Sequence, residues 1–412
     1  MRFDFDIVII GGGMVGACLA ALCANDRKLH GMRIGLLEGH PPTSPPSGDV
    51  DLRVSAVSRA SQRILQAIDA WAALAPEHLS AYSDMVVWDA DGRPRGAGSL
   101  HFAAGELGEP NLGHIVENRR LQWAIYESAA FRNGVTLLQG ELSALTLEDE
   151  HAVVGLADGR EVRAVLVIGA DGAASASRRL AGIETTGWDY EQSALVTHVR
   201  TEHPHQHTAW QRFLPAGPIA FLPLVDGRSS IVWTLPRQRA AELLEYPAAQ
   251  LAREIATAMD GLFGNLEIAG PLASFPLALS HARRYCMPRF ALVGDAAHSV
   301  HPLAGQGVNL GFMDCAALVE VFADNLDRGG AATLAELRVL RRYERWRRSE
   351  NLLALGLIDG LNRLFSNSSG VLTQARGFGL TMVDRSRVLK RMLMGRALGT
   401  AGEVPKLALQ AR

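Results

Sequence analysis

Residues 290–311 read FALVGDAAHSVHPLAGQGVNLG and carry the strongest structural signal in the chain. The apolar run FALV predicts a short buried strand, and Gly294 and Asp295 predict a tight turn that presents a carboxylate. A Pro- and Gly-containing loop at 302–307 then leads into an apolar helical pattern. This order of strand, turn, loop and helix predicts a ligand-facing turn with backbone N–H groups at a helix start, with a plain strand-loop-helix connection as the alternative.

The N-terminus contains a second turn of this kind, Gly11-x-Gly13-x-x-Gly16, between a predicted strand and a predicted helix. The first glycine permits a tight turn, the second lets a pyrophosphate approach the backbone, and the third lets helix and strand pack closely. Glu38 ends the next predicted strand and is suited to an unphosphorylated ribose, as in NAD or FAD. The pattern predicts dinucleotide binding, with a purely structural glycine turn as the alternative.

Length and composition narrow the class of protein. At 412 residues, with 48% hydrophobic residues and a net charge of −2, the chain is long enough for two globular domains. The absence of bulk positive charge argues against a nucleic-acid partner. Four cysteines without a C-x-x-C pair favour a reducing compartment. We find no signal-peptide pattern and no apolar run long enough to cross a membrane, so we expect a cytoplasmic protein.

A third motif, GADGAASASR at residues 169–178, follows another strand pattern. Asp171 and Arg178 are candidates to bridge a cofactor phosphate and the protein. The alternative is a helix start capped by aspartate or serine, with an exposed arginine.

Other chemistry has little support in the sequence. His298 and His301 are close together, but no third ligand of suitable spacing lies near them, so we expect no metal site. The histidines at 198–207 are typical of a solvated turn. No Ser-His-Asp or Cys-His nucleophile pattern occurs, and no catalytic residue can be assigned.

The remaining pattern places further elements along the chain. We predict a strand end and a helix at 52–71, capped by Ser58 or Ser61, and then a hairpin with a turn at Asp91 and Gly92. An amphipathic helix is expected at 121–132, and a strand-rich region at 193–276 with one helix near 240–259. From residue 313 the pattern is mostly helical, with an interruption near 366–370.

Two helical segments, 338–348 and 385–396, are strongly cationic, and the second is interleaved with apolar residues. Helices of this type can lie on an anionic membrane surface. Solvated helix faces or protein contacts explain the same pattern.

Together these motifs resemble the UbiH/UbiF/VisC branch of the flavoprotein monooxygenases of the para-hydroxybenzoate hydroxylase class. The resemblance covers essentially the whole chain and is carried by GGGMVG at 11–16, LRVSA at 52–56, LGHIVEN at 112–118, IGADGA at 168–173, AFLPL at 220–224, the 294–311 segment and LKR at 389–391. Ala174 departs from the pattern, because the branch often has asparagine there.

The resemblance implies an α/β fold: a Rossmann-like FAD-binding domain of the GR2/PHBH type, an inserted β-sheet substrate domain and a helical C-terminus. The implied division is an FAD-binding domain in three parts (1–80, 101–185 and 283–330), a substrate-domain hairpin at 81–100, a substrate-binding β-domain at 186–282 and a C-terminal helical region at 331–412.

The resemblance also implies FAD as the resident cofactor and NAD(P)H as a transient co-substrate without its own domain. The implied cofactor-binding residues are Gly11, Gly13, Met14, Val15, Gly16 and Glu38 at the ADP half, Arg53, Asn118 and Asp171 along the cofactor, Gly294 and Asp295 near the ribityl chain, and Pro302, Gly305, Gly307, Val308 and Asn309 at the flavin ring.

The implied activity is hydroxylation of the aromatic ring of a polyprenylated phenol or quinol in ubiquinone biosynthesis, using NAD(P)H and O₂ through a flavin hydroperoxide. The apolar tail of such a substrate suggests contact with the inner face of the plasma membrane, or membership of a ubiquinone-biosynthesis complex. Phe213, Phe221, Leu222 and Trp233 are candidates for a groove that holds this tail, and core packing explains them equally well.

Three alternatives remain open. The chain could hydroxylate a soluble aromatic compound, or serve as a flavin-bound but non-catalytic subunit of a ubiquinone-biosynthesis complex. A flavin reductase or halogenase is the third, although the motifs contain no lysine of the kind a halogenase needs.

Overall fold

The computed structural model describes residues 3–299, 307–365, 382–384 and 386–409. Its strands are β1 (Phe5–Ile10), β2 (Ile34–Glu38), β3 (Val54–Ser58), β4 (Ser80–Tyr82), β5 (Asp84–Asp89), β6 (Ser99–Ala103), β7 (Gly113–Glu117), β8 (Val135–Gln139), β9 (Leu142–Leu147), β10 (Ala152–Leu156), β11 (Glu161–Gly169), β12 (Thr185–Thr201), β13 (Thr208–Leu214), β14 (Gly217–Pro223), β15 (Ser229–Pro236), β16 (Leu266–Ile268), β17 (Ala273–Ala282), β18 (Cys286–Met287), β19 (Phe290–Leu292) and β20 (His298–Ser299).

The α-helices within the described ranges surround and connect these strands. They are α1 (Met14–Asn25), α2 (Arg59–Gln66), α3 (Asn118–Glu127), α4 (Ala129–Gly134), α5 (Ala176–Leu180), α6 (Arg237–Leu244), α7 (Ala248–Ala258), α8 (Gly307–Gly329), α9 (Leu337–Phe365) and α10 (Arg387–Ala397).

The first sheet has a parallel centre in the order β19-β11-β1-β2-β8, with β18 antiparallel at one edge and β10 and β9 antiparallel beside β11. Strand β1 occupies the middle, where Ile7 pairs with Leu166 on one side and Ile34 on the other. Its central residues are fully buried, as a continuous β-branched run predicts for a parallel strand covered on both faces. Helices α1 and α8 pack against each other beside this sheet.

The second sheet has the order β20-β17-β12-β15-β14-β13-β5-β6, with β16 beside β12. Helices α6 and α7 cover one of its faces, and their apolar residues form a core with Trp88, Leu195 and Phe221. The hairpin strands β5 and β6 join this sheet because β5 pairs in parallel with β13. The third sheet, β3-β7-β4, is small and antiparallel.

The short strand β20 connects the two large sheets. It follows the Gly294 and Asp295 turn directly, and it pairs with β17 through Ser299 opposite Ser280. The turn that carries Asp295 therefore passes from the end of a parallel strand into the edge of the second sheet.

In two places the sequence pattern predicted one continuous helix and the structure has two shorter ones. The helix expected at 121–132 is two helices, α3 and α4, because Ser128 has extended backbone angles and its hydroxyl accepts a hydrogen bond from the Phe131 N–H. The helix expected near 240–259 is also two, α6 and α7, with Pro247 at the N-cap of the second. Within 52–71, Ser58 caps α2 and accepts from the Ser61 N–H.

The predicted fold class is confirmed: an α/β arrangement of several sheets with a helical C-terminal part. The expected interruption near 366–370 lies outside the described residues. Among the helices that are described, none has the length and apolar character needed to cross a bilayer.

Candidate functional site

The Gly-rich turn after β1 places its glycines in three different environments. Gly11 has a φ of 100°, and a Cβ on Gly16 would lie 1.9 Å from the Gly11 carbonyl oxygen. Packing therefore requires both glycines. A Cβ on Gly13, in contrast, would meet no atom within 4 Å apart from those of its immediate chain neighbours. The turn is closely packed behind Gly11 and Gly16 and leaves open space at Gly13.

Helix α1 begins at this open space. Gly13 is its N-cap, no side chain caps the helix, and its first turn, with Met14, Val15 and Gly16, contains no acidic residue. An uncapped helix start combines backbone N–H donors with the positive end of the helix dipole. The arrangement is suited to a phosphate group.

The carboxylate of Glu38 lies beside the same turn. One oxygen accepts a hydrogen bond from the Gly12 N–H at 2.6 Å, and the other accepts from the His40 N–H at 2.8 Å. These two bonds fix the carboxylate at the end of β2, next to the start of α1, where a ribose hydroxyl could reach it.

The two ligand-facing turns, far apart in sequence, meet at Val15. A Cβ on Gly294 would lie 3.0 Å from Val15 Cγ1, and one on Gly311 would lie 2.6 Å from Val15 Cγ2. Gly294 also has a φ of 58°. Both glycines are therefore needed for the close approach of the α8 region and its preceding turn to the start of α1.

Asp295 lies at the strand end, where solvent reaches its side chain although protein atoms surround much of it. Loss of surrounding water raises the pKa of its carboxyl, and the charges of His298 and Arg53 oppose this effect in part. The Arg53 guanidinium lies 5.7 Å from the Phe275 ring centroid, and the Arg53 carbonyl accepts from the Asn118 N–H at 3.0 Å. The structure thus brings Arg53, Asn118 and Asp295 to one region.

The 169–178 motif adopts a capped helix start. Asp171 accepts from the Ser177 N–H at 2.8 Å and from the hydroxyls of Ser175 and Ser177 at 2.5 and 2.7 Å. The capping alternative expected an exposed Arg178, but this residue is only 8% exposed. Its guanidinium donates hydrogen bonds to the carbonyls of Ala296 and Ala173. The motif therefore helps to hold the Asp295 turn in place, through the hydrogen bond from Arg178 to the Ala296 carbonyl.

Asn309 ties the start of α8 to β3. Its side-chain oxygen accepts from the Ser58 N–H at 2.9 Å, and its side-chain nitrogen donates to the Ala56 carbonyl at 2.8 Å. Gly307 and Val308 lie at the same helix start. Pro302, Gly305 and His301 lie outside the described residues.

Asp314, which sequence reasoning missed, is the centre of a buried polar network beneath the Asp295 turn. It is fully buried and accepts hydrogen bonds from the Gly294 N–H at 3.1 Å, His298 Nε2 at 2.5 Å, Arg347 Nε at 2.8 Å and Asn351 Nδ2 at 3.1 Å. A lone carboxylate in an apolar stretch of α8 was the available signal. Its partners come from distant parts of the chain, so spacing could not reveal them.

The second sheet presents one face toward this site. The loop that carries Arg53 lies on that face: His198 Nε2 is 3.0 Å from the Asp51 carbonyl oxygen, and Leu52 packs with Ala194 and Val196. A cavity of about 240 Å³ opens nearby and is lined by Val54, Ile115, Glu117, Arg120 and Leu224, among others.

The four candidates for a tail groove lie in different places. Phe221 and Trp233 belong to the core covered by α6 and α7, where Phe221 stacks on Phe263 at 4.7 Å. Core packing, the alternative reading, explains these two. Phe213 and Leu222 belong to separate apolar clusters away from that core.

Comparison with known proteins shows the family to which the chain belongs. Residues 4–349 match the family model described as "FAD binding domain". The chain is 39% identical over 399 residues to 3-demethoxyubiquinol 3-hydroxylase of Escherichia coli strain K12, covering 96% of this chain and 98% of that protein. It is 40% identical over 403 residues to ubiquinone hydroxylase UbiL of Rhodospirillum rubrum, covering 96% of this chain and 90% of the relative.

Among solved structures, p-nitrophenol 4-monooxygenase PnpA from Pseudomonas putida DLL-E4 aligns with a TM-score of 0.76 at 17% identity. The alignment covers 97% of this chain and 99% of that one, and it shows a shared fold. The sequence relatives and the family match together show more than the fold: the chain belongs to the family of FAD-dependent hydroxylases that includes these ubiquinone-pathway enzymes.

Proposed function

We propose that the protein hydroxylates the aromatic ring of a polyprenylated phenol or quinol in ubiquinone biosynthesis. The overall reaction would be ring C–H + O₂ + NAD(P)H + H⁺ giving ring C–OH + H₂O + NAD(P)⁺. One observation carries the proposal: two relatives that are 39% and 40% identical over 96% of this chain are named as a demethoxyubiquinol hydroxylase and a ubiquinone hydroxylase. The structure adds that the Asp295 turn passes directly into β20, at the edge of the second sheet. An aromatic ring on that sheet would lie beside the cofactor region.

We further propose where FAD lies. Its pyrophosphate would contact the open start of α1 at Gly13, its adenosine ribose would face Glu38, and its ribityl chain would face Asp295. Asp171 and Asn309 would contribute mainly through the loops they hold in place. The contact between the turns at Val15 supports this placement, because one extended dinucleotide could then reach both.

FAD held by these residues would supply the activated oxygen that this chemistry needs. The chain's own groups orient and shield the reactants. The start of the long helix α8, held against β3 by Asn309, would favour the negative charge that reduction adds to the flavin. The second sheet, with buried Ala194 and Val196 on its site-facing side, would keep water away from the ring.

The test is product formation by the purified protein with NAD(P)H and two matched phenols, one prenylated and one without the tail. We expect hydroxylated product mainly from the prenylated phenol. Faster turnover of the tail-free phenol would favour a hydroxylase of soluble aromatics. Bound FAD with no substrate-dependent NAD(P)H oxidation for either phenol would favour a non-catalytic subunit.

We also propose that the protein is cytoplasmic and that it meets its substrate at an anionic membrane surface through α10. Val388 and Met392 on this helix are 78% and 52% exposed, and Arg391 between them is also exposed. An apolar face with a neighbouring cation fits an interfacial helix. The other cationic segment is less available, since Arg347 is buried and Arg342 is 3.4 Å from Asp324.

Cosedimentation with phosphatidylglycerol-containing vesicles tests the membrane proposal. We expect the paired change Val388→Ser and Met392→Ser to reduce the bound fraction. The paired change Leu137→Ser and Leu244→Ser is the matched control, because these residues are 40% and 36% exposed on β8 and α6 and lie outside the apolar cluster that packs against α10. Equal binding by the patch variant and the control would contradict a role for α10.

A further inference from the structure

Gly12, which lies between the two signature glycines Gly11 and Gly13, is held on both sides by side chains. Its N–H donates to the Glu38 carboxylate at 2.6 Å. Its carbonyl accepts from Gln122 Nε2 at 2.8 Å and from the Tyr126 hydroxyl at 2.9 Å. These three side chains are called the Gly12 clamp below.

The clamp leaves no room for a side chain at Gly12. A Cβ there would lie 2.1 Å from the Tyr126 hydroxyl oxygen and 2.8 Å from Glu38 Cβ. Its backbone angle is not in the left-handed region, so close approach, and not conformational freedom, requires glycine at this position. The clamp and the glycine therefore depend on each other.

Packing keeps the clamp in place. Tyr126 is buried, and its ring packs on Phe131 of α4 with centroids 4.5 Å apart. Burial and the nearby Glu38 charge raise the pKa of Tyr126, so its hydroxyl retains the proton that it donates. Gln122 lies one helical turn before Tyr126 on α3, which places both donors on one face of that helix.

The geometry of a trans peptide links the clamp to the open side of the turn. The N–H of Gly13 points opposite to the carbonyl of Gly12, because the two groups share one planar unit and the described chain has no cis peptide. With the carbonyl fixed toward α3, the Gly13 N–H is turned away from α3. Gly13 itself borders open space at the start of α1.

We infer that Gln122 and Tyr126 are positioning residues for the cofactor's pyrophosphate: they orient the Gly12–Gly13 peptide so that its N–H is preset to donate to a phosphate oxygen. This inference rests on the proposed placement of FAD at the Gly-rich turn. Gln122 and Tyr126 are not part of the glycine pattern, and in this arrangement they would act on the turn without touching the cofactor. A preset donor raises affinity because less ordering is needed on binding.

Flavin and ADP binding test the inference without reference to turnover. The holoenzyme and its Tyr126→Phe and Gln122→Leu variants are diluted, and FAD release is followed by recovery of flavin fluorescence. ADP is then titrated as a competitor. One hydrogen bond of this kind corresponds to roughly a three- to tenfold change in Kd. We expect FAD and ADP to weaken by the same factor in each variant, since the ADP half carries the pyrophosphate.

Tyr343→Phe is the matched control. It removes a buried tyrosine hydroxyl that donates to a backbone carbonyl, that of Leu292, at 2.8 Å in the same sheet region. We expect it to lower the unfolding temperature without changing ADP affinity. Unchanged ADP affinity in both clamp variants, or equal weakening in Tyr343→Phe, would overturn the inference.

Gly13→Ala separates this inference from the placement of FAD on which it rests. If Gly13→Ala weakens FAD binding and the clamp variants do not, the clamp has no positioning role and the placement survives. If Gly13→Ala also leaves FAD affinity unchanged, the placement fails, and the inference fails with it.

Discussion

The buried carboxylate of Asp314 offers the most quantitative test of how the Asp295 turn is held. Asp314→Asn keeps the shape of the side chain and removes its charge. The change affects every contact of the carboxylate, which binds the backbone of the turn at Gly294 and the side chains of His298, Arg347 and Asn351.

The expected loss follows from burial. Arg347 is only 2% exposed, so Asp314→Asn leaves a buried guanidinium without its countercharge. Breaking a buried pair in this way costs about 3–5 kcal/mol. Burial of Asp314 would raise its pKa, but the charges and hydrogen bonds of His298 and Arg347 lower it from 3.8 to about 2. That difference corresponds to about 2 kcal/mol in favour of the ionised native state.

The sign of the pH dependence is fixed by this lowered pKa. The Asp314 contribution is fully present above pH 3.8 and is lost as the pH falls through about 2. At neutral pH the wild-type protein has the whole contribution, and Asp314→Asn has none of it.

Urea unfolding at pH 7 with a fixed excess of FAD measures the effect. We expect Asp314→Asn to lower the free energy of unfolding by about 3–5 kcal/mol. Asp324→Asn is the control, because the Asp324 side chain is 42% exposed and lies 3.4 Å from Arg342. An exposed pair of this kind is worth less than about 1 kcal/mol.

A loss no larger than that of the control would refute the reasoning. The double variant Asp314→Leu with Arg347→Met gives a second check, since it removes both charges together. We expect it to be more stable than Asp314→Asn.

Three further predictions concern the glycines, a buried histidine and the α8 start. Gly13→Ala should weaken FAD binding and leave the unfolding temperature of the flavin-free protein unchanged. Gly16→Ala should destabilise the fold itself, because its Cβ would lie 1.9 Å from a carbonyl oxygen. Flavin fluorescence measures the first effect and calorimetry the second. Burial and nearby positive charges lower the pKa of His281 from 6.5 to about 4, so the free energy of unfolding should fall as the pH is lowered from 6.5 to 4, and less steeply in His281→Leu. If the free energy of unfolding of His281→Leu fell with pH as steeply as that of the wild type, the prediction would be wrong. Asn309→Ala loses both hydrogen bonds to β3 and should cost roughly 1–3 kcal/mol in urea unfolding, with no loss counting against its bridging role.

The sequence predicted correctly those features that depend on a residue's own backbone angles or on its neighbours along the chain. The apolar run at 6–10 predicts a buried strand because each residue of a central parallel strand is covered on both sides. Gly11 and Gly294 could be placed at turns because each occupies a positive φ that other residues rarely adopt. Ser58 was recognisable as a helix cap for a similar reason.

The missed features arise from competition between local rules or from long-range contacts. Apolar periodicity continues across Ser128 and Pro247, so the pattern alone did not show that each residue starts a new helix. Asp171 satisfied both a cofactor role and a capping role, and the fold uses its oxygens for the cap. Asp314 and Tyr126 contact backbone groups brought to them only by folding.

The most direct test of the central claim is oxygen transfer from labelled dioxygen. The purified FAD-bound protein is supplied with NAD(P)H, ¹⁸O₂ and a prenylated phenol, and the product is analysed by mass spectrometry. We predict one labelled oxygen atom on the aromatic ring of each product molecule. Consumption of NAD(P)H with unlabelled, unchanged phenol across the candidate prenylated substrates would contradict the account.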